Sequence, residues 1–319
     1  MSRELYHFEY NLPLFGQYPP VVILDCPLFG LISESHRIPM RHIPRKRFSQ
    51  NFLVDQHYIE RIADAIDPRP GDRLLEIGPG RGALTRALLK RAAHLTAIEI
   101  DRDLSAALRE EFSEERLTVI TADALTVDLA SLAPQGDKLR IVGNLPYHIS
   151  SPLLFHCARH VEHVLDLHFM LQSEVVDRMA AAPATADYGR LSVSLQSLFA
   201  VKKLFSVPAG AFHPVPAVES AIVRLVPLAE KRPLIGNRET FDAVVAAGFG
   251  QRRKTLRNAL RLLADQALLA SLEIDPGARA ETLGVEAFAR IANAISARQA
   301  GNVGTLSARQ ERDSMDEDV

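Results

Sequence analysis

Residues 73–89 read Arg-Leu-Leu-Glu-Ile-Gly-Pro-Gly-Arg-Gly-Ala-Leu-Thr-Arg-Ala-Leu-Leu, and this stretch decides the fold class. Its first five residues predict a short buried strand, the next five a glycine-rich turn, and the last seven a helix. A strand that enters a glycine-rich turn at the start of a helix is the element that cradles nucleotides in doubly wound α/β folds. Because a single glycine loop is weak evidence, the neighbouring strands must indicate what the loop holds.

Two further apolar runs lead to acidic residues. The run 95–100 carries Glu99 about 20 residues beyond the glycines, which is the spacing expected of an acceptor for ribose hydroxyls. The run 117–120 is followed by Asp123, whose carboxylate can accept a hydrogen bond from an adenine amino group. Each acid could instead cap the following helix. In series with the glycine loop, both predict a nucleoside-containing cofactor at the carboxyl ends of parallel strands.

A fourth apolar run, 139–143, leads into Asn144-Leu145-Pro146-Tyr147. An exocyclic amine on a nucleobase is a poor nucleophile, because its lone pair is delocalised into the ring. The amide oxygen of Asn144 and the carbonyl of Leu145 can accept its two N–H bonds and favour a tetrahedral nitrogen aimed at a methyl donor. Pro146 restricts the backbone there, and Tyr147 offers a flat face for an extruded base. The same four residues also suit an ordinary turn after a strand.

The glycine loop and the amine site together indicate the cofactor. Residues 76–82 have the form Glu-x-Gly-x-Gly-x-Gly with a proline inside, which argues against a nicotinamide cofactor. We predict S-adenosyl-L-methionine, because the chemistry of the Asn-Leu-Pro-Tyr stretch requires a methyl donor. The two cysteines cannot form a metal cluster on their own and the histidines are scattered along the chain, so we predict no metal.

Composition indicates a globular enzyme in a reducing compartment. At 319 residues the chain is longer than one core comfortably fills, and 47% hydrophobic with 24% charged residues is ordinary for a folded protein. Its two cysteines, Cys26 and Cys157, cannot build a disulfide framework, so we expect a cytoplasmic protein. The uncharged stretch 10–24 contains three prolines and is too short to span a bilayer, so we expect no membrane association.

The net charge is −2, but its distribution favours a nucleic-acid partner. Residues 311–318 contain five acids and one base, a sum of −4, so the other residues together carry +2. Basic residues concentrate at 41–47 and just beyond residue 250, where a helix would place Arg253, Arg257 and Arg261 on one face. One such cluster is usually a solvated surface. Two clusters beside a base-methylating core predict a surface that follows RNA phosphates.

The chain divides into four predicted segments. They are a poorly ordered extension (1–40), a catalytic domain (41–227), a helical C-terminal domain (228–300) and an acidic, disordered tail (301–319). Within the catalytic domain, Asp55 is expected to cap a helix. Further strands are predicted at 165–171, 201–207 and 221–226.

The ordered motifs of the chain resemble those of one family. In sequence they are Arg-Lys-Arg-Phe-Ser-Gln-Asn-Phe-Leu (45–53), Glu-Ile-Gly-Pro-Gly (76–80), Gly-Asn-Leu-Pro-Tyr (143–147), Phe-Met-Leu-Gln (169–172), Tyr-Gly-Arg-Leu-Ser (188–192), Ala-Phe-His-Pro-Val-Pro-Ala-Val-Glu-Ser (211–220) and Gln-Arg-Arg-Lys-Thr (251–255). Over residues 45–297 the chain is similar to the ribosomal RNA adenine dimethylases. The resemblance implies an α/β fold. It consists of a class I (Rossmann-like) methyltransferase sheet with a reversed seventh strand, followed by a small all-helical C-terminal domain.

The resemblance also implies an activity and a partner. Two methyl groups would pass from S-adenosylmethionine to each of two adjacent adenines in the 3′-terminal hairpin of small-subunit ribosomal RNA. The expected partner is the immature small ribosomal subunit with its RNA, and the expected wider role is in small-subunit biogenesis. We expect the protein to act as a monomer.

The matching motifs assign roles to individual residues. The catalytic group implied by the resemblance is Asn144, Leu145, Tyr147 and Phe212, with the two aromatic rings enclosing the flipped base. The implied cofactor-binding residues are Asn51, Leu53, Gly78, Glu99, Asp123 and Asn144. The RNA-binding residues are expected to be Arg45, Lys46, Arg47, Arg252, Arg253 and Lys254. For Phe212, an ordinary core position is the alternative.

Three other functions stay open at the level of sequence. A relative within the family would methylate large-subunit RNA and confer antibiotic resistance. A DNA amino-methyltransferase would share the Asn-Pro-aromatic chemistry but would be expected to carry a target-recognition domain, for which no segment is apparent. A ribosome-assembly factor could retain S-adenosylmethionine as a ligand without relying on catalysis.

Overall fold

The computed structural model describes residues 51–316, apart from Pro134, Gln135, Ala229, Lys231 and Arg252. The predicted extension 1–40 therefore lies outside the described residues, as do the predicted RNA contacts Arg45, Lys46, Arg47 and Arg252. None of the described helices is long and apolar enough to cross a membrane.

Seven strands of the described chain form one sheet: β2 (Arg73–Ile77), β3 (Leu95–Glu99), β4 (Leu117–Thr121), β5 (Leu139–Asn144), β6 (Val164–Gln172), β7 (Phe199–Val207) and β9 (Ser220–Pro227). Their order in the sheet is β4-β3-β2-β5-β6-β9-β7. Strands β2 to β6 pair in parallel, whereas β9 runs antiparallel to both of its neighbours, β6 and β7. The class I sheet with one reversed strand is thus confirmed, and the three strands predicted after residue 164 are present.

A second, two-stranded sheet joins distant parts of the chain. Strand β1 (Phe52–Leu53) pairs antiparallel with β8 (Phe212–His213), so that Leu53 faces Phe212 across the pair. The backbone N–H of Val54 extends this contact by donating to the carbonyl of Ala211 at 2.9 Å. The N-terminal end of the described chain is therefore attached to the segment that precedes β9.

Helices cover both faces of the large sheet. They are α1 (Gln56–Ile66), α2 (Ala83–Leu89), α3 (Arg102–Glu111), α4 (Ser150–Arg159), α5 (Ser173–Ala180) and α6 (Arg190–Gln196). The prediction for Asp55 is confirmed, because its side chain accepts hydrogen bonds from the N–H groups of His57 and Tyr58 at the start of α1. The buried residues of α1 lie on one face, as a helical repeat requires: Ile59, Ile62, Ala63 and Ile66.

Alternating side chains of the strands divide the core into two layers. In β5, Ile141 packs with α4 to α6, whereas the next residue, Val142, packs with α1 and α2. At the amino ends of the strands, the buried Arg140 donates to the carbonyl oxygens of Ile66 and Asp67, where α1 ends. Arg140 also pairs with Asp166 in β6. These bonds fix α1 against the sheet.

A third apolar cluster contains the C-terminal helices α7 (Arg238–Gly250), α8 (Leu256–Ala259), α9 (Gln266–Ser271) and α10 (Val285–Asp316). Tyr188, which lies before α6, is fully buried in this cluster and donates its hydroxyl to the carbonyl of Leu283 at 2.9 Å. The helical region beyond residue 228 is therefore present. The division into separate domains at residue 227 stays a prediction.

One sequence prediction about the C-terminal region differs from the structure. A continuous helix carrying Arg253, Arg257 and Arg261 is wrong, because α7 ends at Gly250 and α8 covers only Leu256–Ala259. Arg253 and Lys254 lie in the turn between them, where the N–H of Lys254 donates to the carbonyl of Gln251 at 2.8 Å. The acidic, disordered tail from residue 301 stays a prediction, and the backbone of α10 is helical as far as Asp316.

Candidate active site

A cavity of about 370 Å³ opens at the carboxyl ends of β2, β3, β4 and β5. This is the edge of an open α/β sheet where ligands bind. All nine residues predicted to be catalytic or to bind the cofactor line this one cavity: Asn51, Leu53, Gly78, Glu99, Asp123, Asn144, Leu145, Tyr147 and Phe212. The structure therefore brings the predicted residues together, while their individual roles stay predictions.

The glycine loop follows β2 and forms one wall of the cavity. Gly78 has a φ of +68°, a left-handed conformation that side chains other than glycine rarely adopt, and its N–H donates to the carbonyl of Ile98 in β3. On β5, Gly143 lies so close to β2 that a Cβ atom there would come within 2.5 Å of the carbonyl oxygen of Ile77. The two glycines let the backbones of β2 and β5 meet at the cavity without obstruction.

Glu99 stands at the end of β3 and is almost completely buried. One carboxylate oxygen accepts the N–H of Gly80 at 3.0 Å, and the other accepts the N–H of Asp101 at 2.9 Å. Burial raises the pKa of Glu99, and these backbone hydrogen bonds oppose that shift. The residue thus ties the glycine loop to the start of α3. Since each carboxylate offers about four lone-pair sites, it can still accept hydrogen bonds from a ligand.

Asp123 follows β4 and is exposed to the cavity. Its Oδ1 accepts the N–H of Leu125 at 2.9 Å, a bond within the turn that follows β4. The alternative that each acid caps the following helix is wrong, because Asp101 is the N-cap of α3 and Asp123 precedes a turn. Glu99 and Asp123 each make local backbone bonds and also line the cavity.

Asn144 is the last residue of β5, and its side chain has a defined partner. The Nδ2 atom donates to the carbonyl of Asn51 at 3.1 Å, which leaves the amide oxygen available towards the cavity. The next residue, Leu145, donates its N–H to the carbonyl of Met170 in β6. These bonds fix the strand end whose two oxygens are the proposed acceptors of the target amine.

The two aromatic residues approach the cavity from different elements. Tyr147 begins a single helical turn, Tyr147–Ile149, whereas Phe212 belongs to β8 and is 3% exposed. Phe212 packs with the apolar layer between the sheet and α1, so its core position and its position in the cavity wall coexist. The hydroxyl of Tyr147 lies 3.0 Å from the hydroxyl of Ser220 in β9.

Two further polar residues, which were not predicted from the sequence, line the cavity. Glu76 on β2 is buried and accepts a hydrogen bond from the Thr85 hydroxyl at 2.7 Å; burial raises its pKa to about 7. His168 on β6 is buried with neither ring nitrogen hydrogen-bonded, and burial lowers its pKa to about 4. A polar side chain in the middle of an apolar strand is the signal that both offered.

Comparison with known proteins decides the identity of this site. The family model described as ribosomal RNA adenine dimethylase matches residues 41–297. The chain belongs to that family. It is therefore a methyltransferase with S-adenosylmethionine as methyl donor. The residues present fit such a donor, because two carboxylates at neighbouring strand ends and a left-handed glycine loop face one cavity.

Two relatives match this chain over nearly the whole of their own length. A protein named ribosomal RNA small subunit methyltransferase A from Aromatoleum aromaticum is 54% identical over 81% of this chain and 96% of its own. A protein of the same name from Bordetella petrii is 55% identical over 82% of this chain and 98% of its own.

Two solved structures agree with the fold. A dimethyladenosine transferase from Plasmodium falciparum has a TM-score of 0.66 at 25% identity, over 75% of this chain and 95% of its own. The 23S rRNA methyltransferase ErmE has a TM-score of 0.59 at 31% identity, over 77% of this chain and 100% of its own.

Proposed function

We propose that this dimethylase transfers methyl groups to N6 of two adjacent adenines in the 3′-terminal hairpin of small-subunit ribosomal RNA, two to each. One observation carries the proposal: the end of β5, with Asn144 and Leu145, shares a cavity with Glu99, Asp123 and the two aromatic residues. A nucleoside cofactor and a flipped base can thus occupy adjoining parts of one site.

The chain's own contribution to the reaction is positioning. The Asn144 amide oxygen and the Leu145 carbonyl would accept the two N–H bonds of the target amine and favour its tetrahedral form. Tyr147 and Phe212 would hold the base between their rings. Holding the nitrogen about 3 Å from the methyl group supplies the entropic advantage of an intramolecular reaction. A methylated adeninium is acidic enough to lose its proton to water, so no strong base is required.

Sequence identity to enzymes of known name favours small-subunit RNA over large-subunit RNA as the substrate. Proteins named as small-subunit enzymes are 54% and 55% identical to this chain, whereas the 23S enzyme ErmE is 31% identical. Because both kinds share the fold, the difference in substrate must lie in the surface that receives the RNA.

We assign RNA binding to the basic residues at both ends of the catalytic region. Arg253 and Lys254 support this assignment, since both are exposed in the turn between α7 and α8. We further propose that the protein acts as a cytoplasmic monomer on immature subunits during their assembly. The C-terminal helices would form a separate domain from residue 228.

Methyl transfer from labelled S-adenosylmethionine to isolated small and large subunits tests the proposal. We expect dimethyladenosine in small-subunit RNA that lacks it beforehand. Asn144→Ala should reduce the rate about 100-fold or more, the scale seen when one transition-state hydrogen bond of this kind is removed. Asn258→Ala, the same change at an exposed position of α8, is the matched control and should keep the wild-type rate.

Methylation of large subunits instead would assign the protein to the other branch of the family. An Asn144→Ala variant that keeps most of the wild-type rate would remove this residue from the chemistry. If that variant still supported subunit assembly in cells while inactive, the assembly role would be independent of catalysis.

A further inference from the structure

The hydroxyl of Ser220 contacts the aromatic residue on which the target base would stack. Ser220 is 1% exposed and is the first residue of β9, and its Oγ lies 3.0 Å from the hydroxyl of Tyr147. Tyr147 is only half-buried, so part of its ring faces the cavity while its hydroxyl points into the protein. This is a hydrogen bond between two side chains 73 positions apart.

The two partners differ in how firmly the backbone holds them. Ser220 sits in the sheet between Gln172 of β6 and Val207 of β7, so strands on both sides fix its position. Tyr147 lies in a short turn outside the sheet, closed by a single backbone bond from Ile149 to Pro146. The hydroxyl pair is therefore the connection by which the sheet can restrain the orientation of the tyrosine ring.

We propose that Ser220 is a positioning residue that holds the Tyr147 ring at the angle required for the second methyl transfer to each adenine. This proposal rests on the function proposed above, in which Tyr147 stacks on the target base. Ser220 touches neither the base nor the cofactor in this role, and it acts only through the tyrosine hydroxyl.

The second transfer depends more on stacking than the first. An unmethylated amine has two N–H bonds for the two acceptors at the end of β5, which orient the nitrogen directly. The monomethylated amine keeps one N–H bond, so one acceptor loses its partner. The ring orientation then contributes a larger share of the alignment, and a looser Tyr147 should slow the second step more than the first.

The test measures the ratio of monomethyladenosine to dimethyladenosine in small-subunit RNA. Ratios are compared at equal total methyl incorporation, so that a smaller fraction of folded enzyme does not change them. Ser220→Ala and Tyr147→Phe should each raise the ratio about two- to tenfold, the range that loss of one net hydrogen bond gives. The double variant should show no further increase, and Ser220→Thr, which keeps the hydroxyl, should restore the wild-type ratio.

Ser197→Ala is the matched control, because Ser197 is also 1% exposed and its hydroxyl is bonded away from the cavity: it donates to the carbonyl of Ser194 and accepts from Arg238. It should leave the ratio unchanged even if it lowers the melting temperature. An unchanged ratio in Ser220→Ala, or effects that add in the double variant, would overturn the proposal.

Tyr147→Ala separates this inference from the proposed function. If Tyr147→Ala abolishes methylation while Ser220→Ala behaves as wild type, the stacking role stands and the positioning role of Ser220 fails. If Tyr147→Ala is fully active, the stacking role itself fails.

Discussion

Glu99 combines a structural and a binding task in one carboxylate. Its oxygens hold the N–H groups of Gly80 and Asp101, and the same group lines the cofactor cavity. We predict that Glu99→Ala weakens S-adenosylmethionine binding by about 1.5–3 kcal/mol, the scale of hydrogen bonds to a charged acceptor. Isothermal titration calorimetry measures the change.

Two further variants make the Glu99 result interpretable. Glu99→Gln keeps one acceptor oxygen and should lose less affinity than Glu99→Ala. Glu111→Ala removes an exposed carboxylate from the end of α3 and should bind the cofactor as the wild type does. Unchanged affinity in a folded Glu99→Ala protein would exclude the residue from the cofactor site.

Glu76 predicts a pH dependence of stability. Its pKa is about 7 in the fold against 4.5 for the ordinary carboxyl, first because of burial and further because of the nearby Glu99 charge. Between these values the unfolded chain has lost the proton that the folded chain keeps, so stability falls as pH rises. Relative to Glu76→Gln, the wild type should lose about 3 kcal/mol of unfolding free energy from below pH 4.5 to above pH 7.

Urea unfolding at several pH values measures this difference. The control Glu110→Gln changes an exposed carboxyl on α3 and should leave the pH profile of the wild type unaltered. Parallel profiles for wild type and Glu76→Gln would show that Glu76 is ionised equally in the folded and unfolded chains.

Sequence reasoning located the residues at strand ends but not their partners. Gly78, Glu99, Asp123 and Asn144 could be predicted, because parallel strands bring their carboxyl ends to one edge whatever their order. The contact between Tyr147 and Ser220 could not, since it depends on β9 entering the sheet beside β6. Strand order is set by packing of the complete chain, which local periodicity does not contain.

Arg140 connects helix α1 to the sheet. Its guanidinium caps the carbonyl groups at the end of α1 and pairs with the buried carboxylate of Asp166. We predict that Arg140→Met lowers the free energy of unfolding by about 3–5 kcal/mol, because it leaves a buried charge without its main partner. Cofactor affinity should not change, since Arg140 lies at the opposite ends of the strands from the cavity.

Arg224 provides the matched control for this prediction. It approaches the same Asp166 oxygen at 3.2 Å, but 45% of its side chain is exposed. Arg224→Met should therefore cost less than about 1 kcal/mol, as surface ion pairs do. Equal losses in the two variants would mean that burial does not distinguish the two arginines.

Whether a predicted helix is present depends on whether its sequence has an apolar face that packing can bury. The prediction was correct for α1 and wrong near residue 253. The spacing of Ile59, Ile62 and Ile66 provides an apolar face that packing can bury. Residues 251–255 contain no apolar side chain, so the sequence offers no face there that packing could bury, and the regular spacing of basic residues carries no structural information. The backbone there is engaged elsewhere, since Leu256 donates its N–H to the carbonyl of Ala278.

The exposed turn with Arg253 and Lys254 predicts how the affinity for RNA depends on salt concentration. If both contact phosphates, replacing them with alanine should weaken binding to small subunits and reduce the slope of log K against log salt by about 1.5 units. Binding measured across a range of salt concentrations gives the slope, and cofactor affinity should be unaffected.

The control for charge alone replaces Arg69 and Lys138, which are exposed near the amino ends of the strands, away from the cavity. That double variant loses the same charge and should keep the wild-type slope. A stability loss without any change of slope in the Arg253 and Lys254 variant would instead assign the turn to intramolecular contacts.

The reversed strand β9 is also needed to complete both the sheet and the site. It is the last of the described strands, yet it lies between β6 and β7, which pair with β9 and not with each other. Ser220, its first residue, closes the aromatic wall, and the preceding segment holds the N-terminal strand β1. A chain that ends before residue 220 lacks both the strand that joins β6 to β7 and the hydroxyl partner of Tyr147. We therefore predict that methyl transfer does not recover during refolding until β9 has entered the sheet.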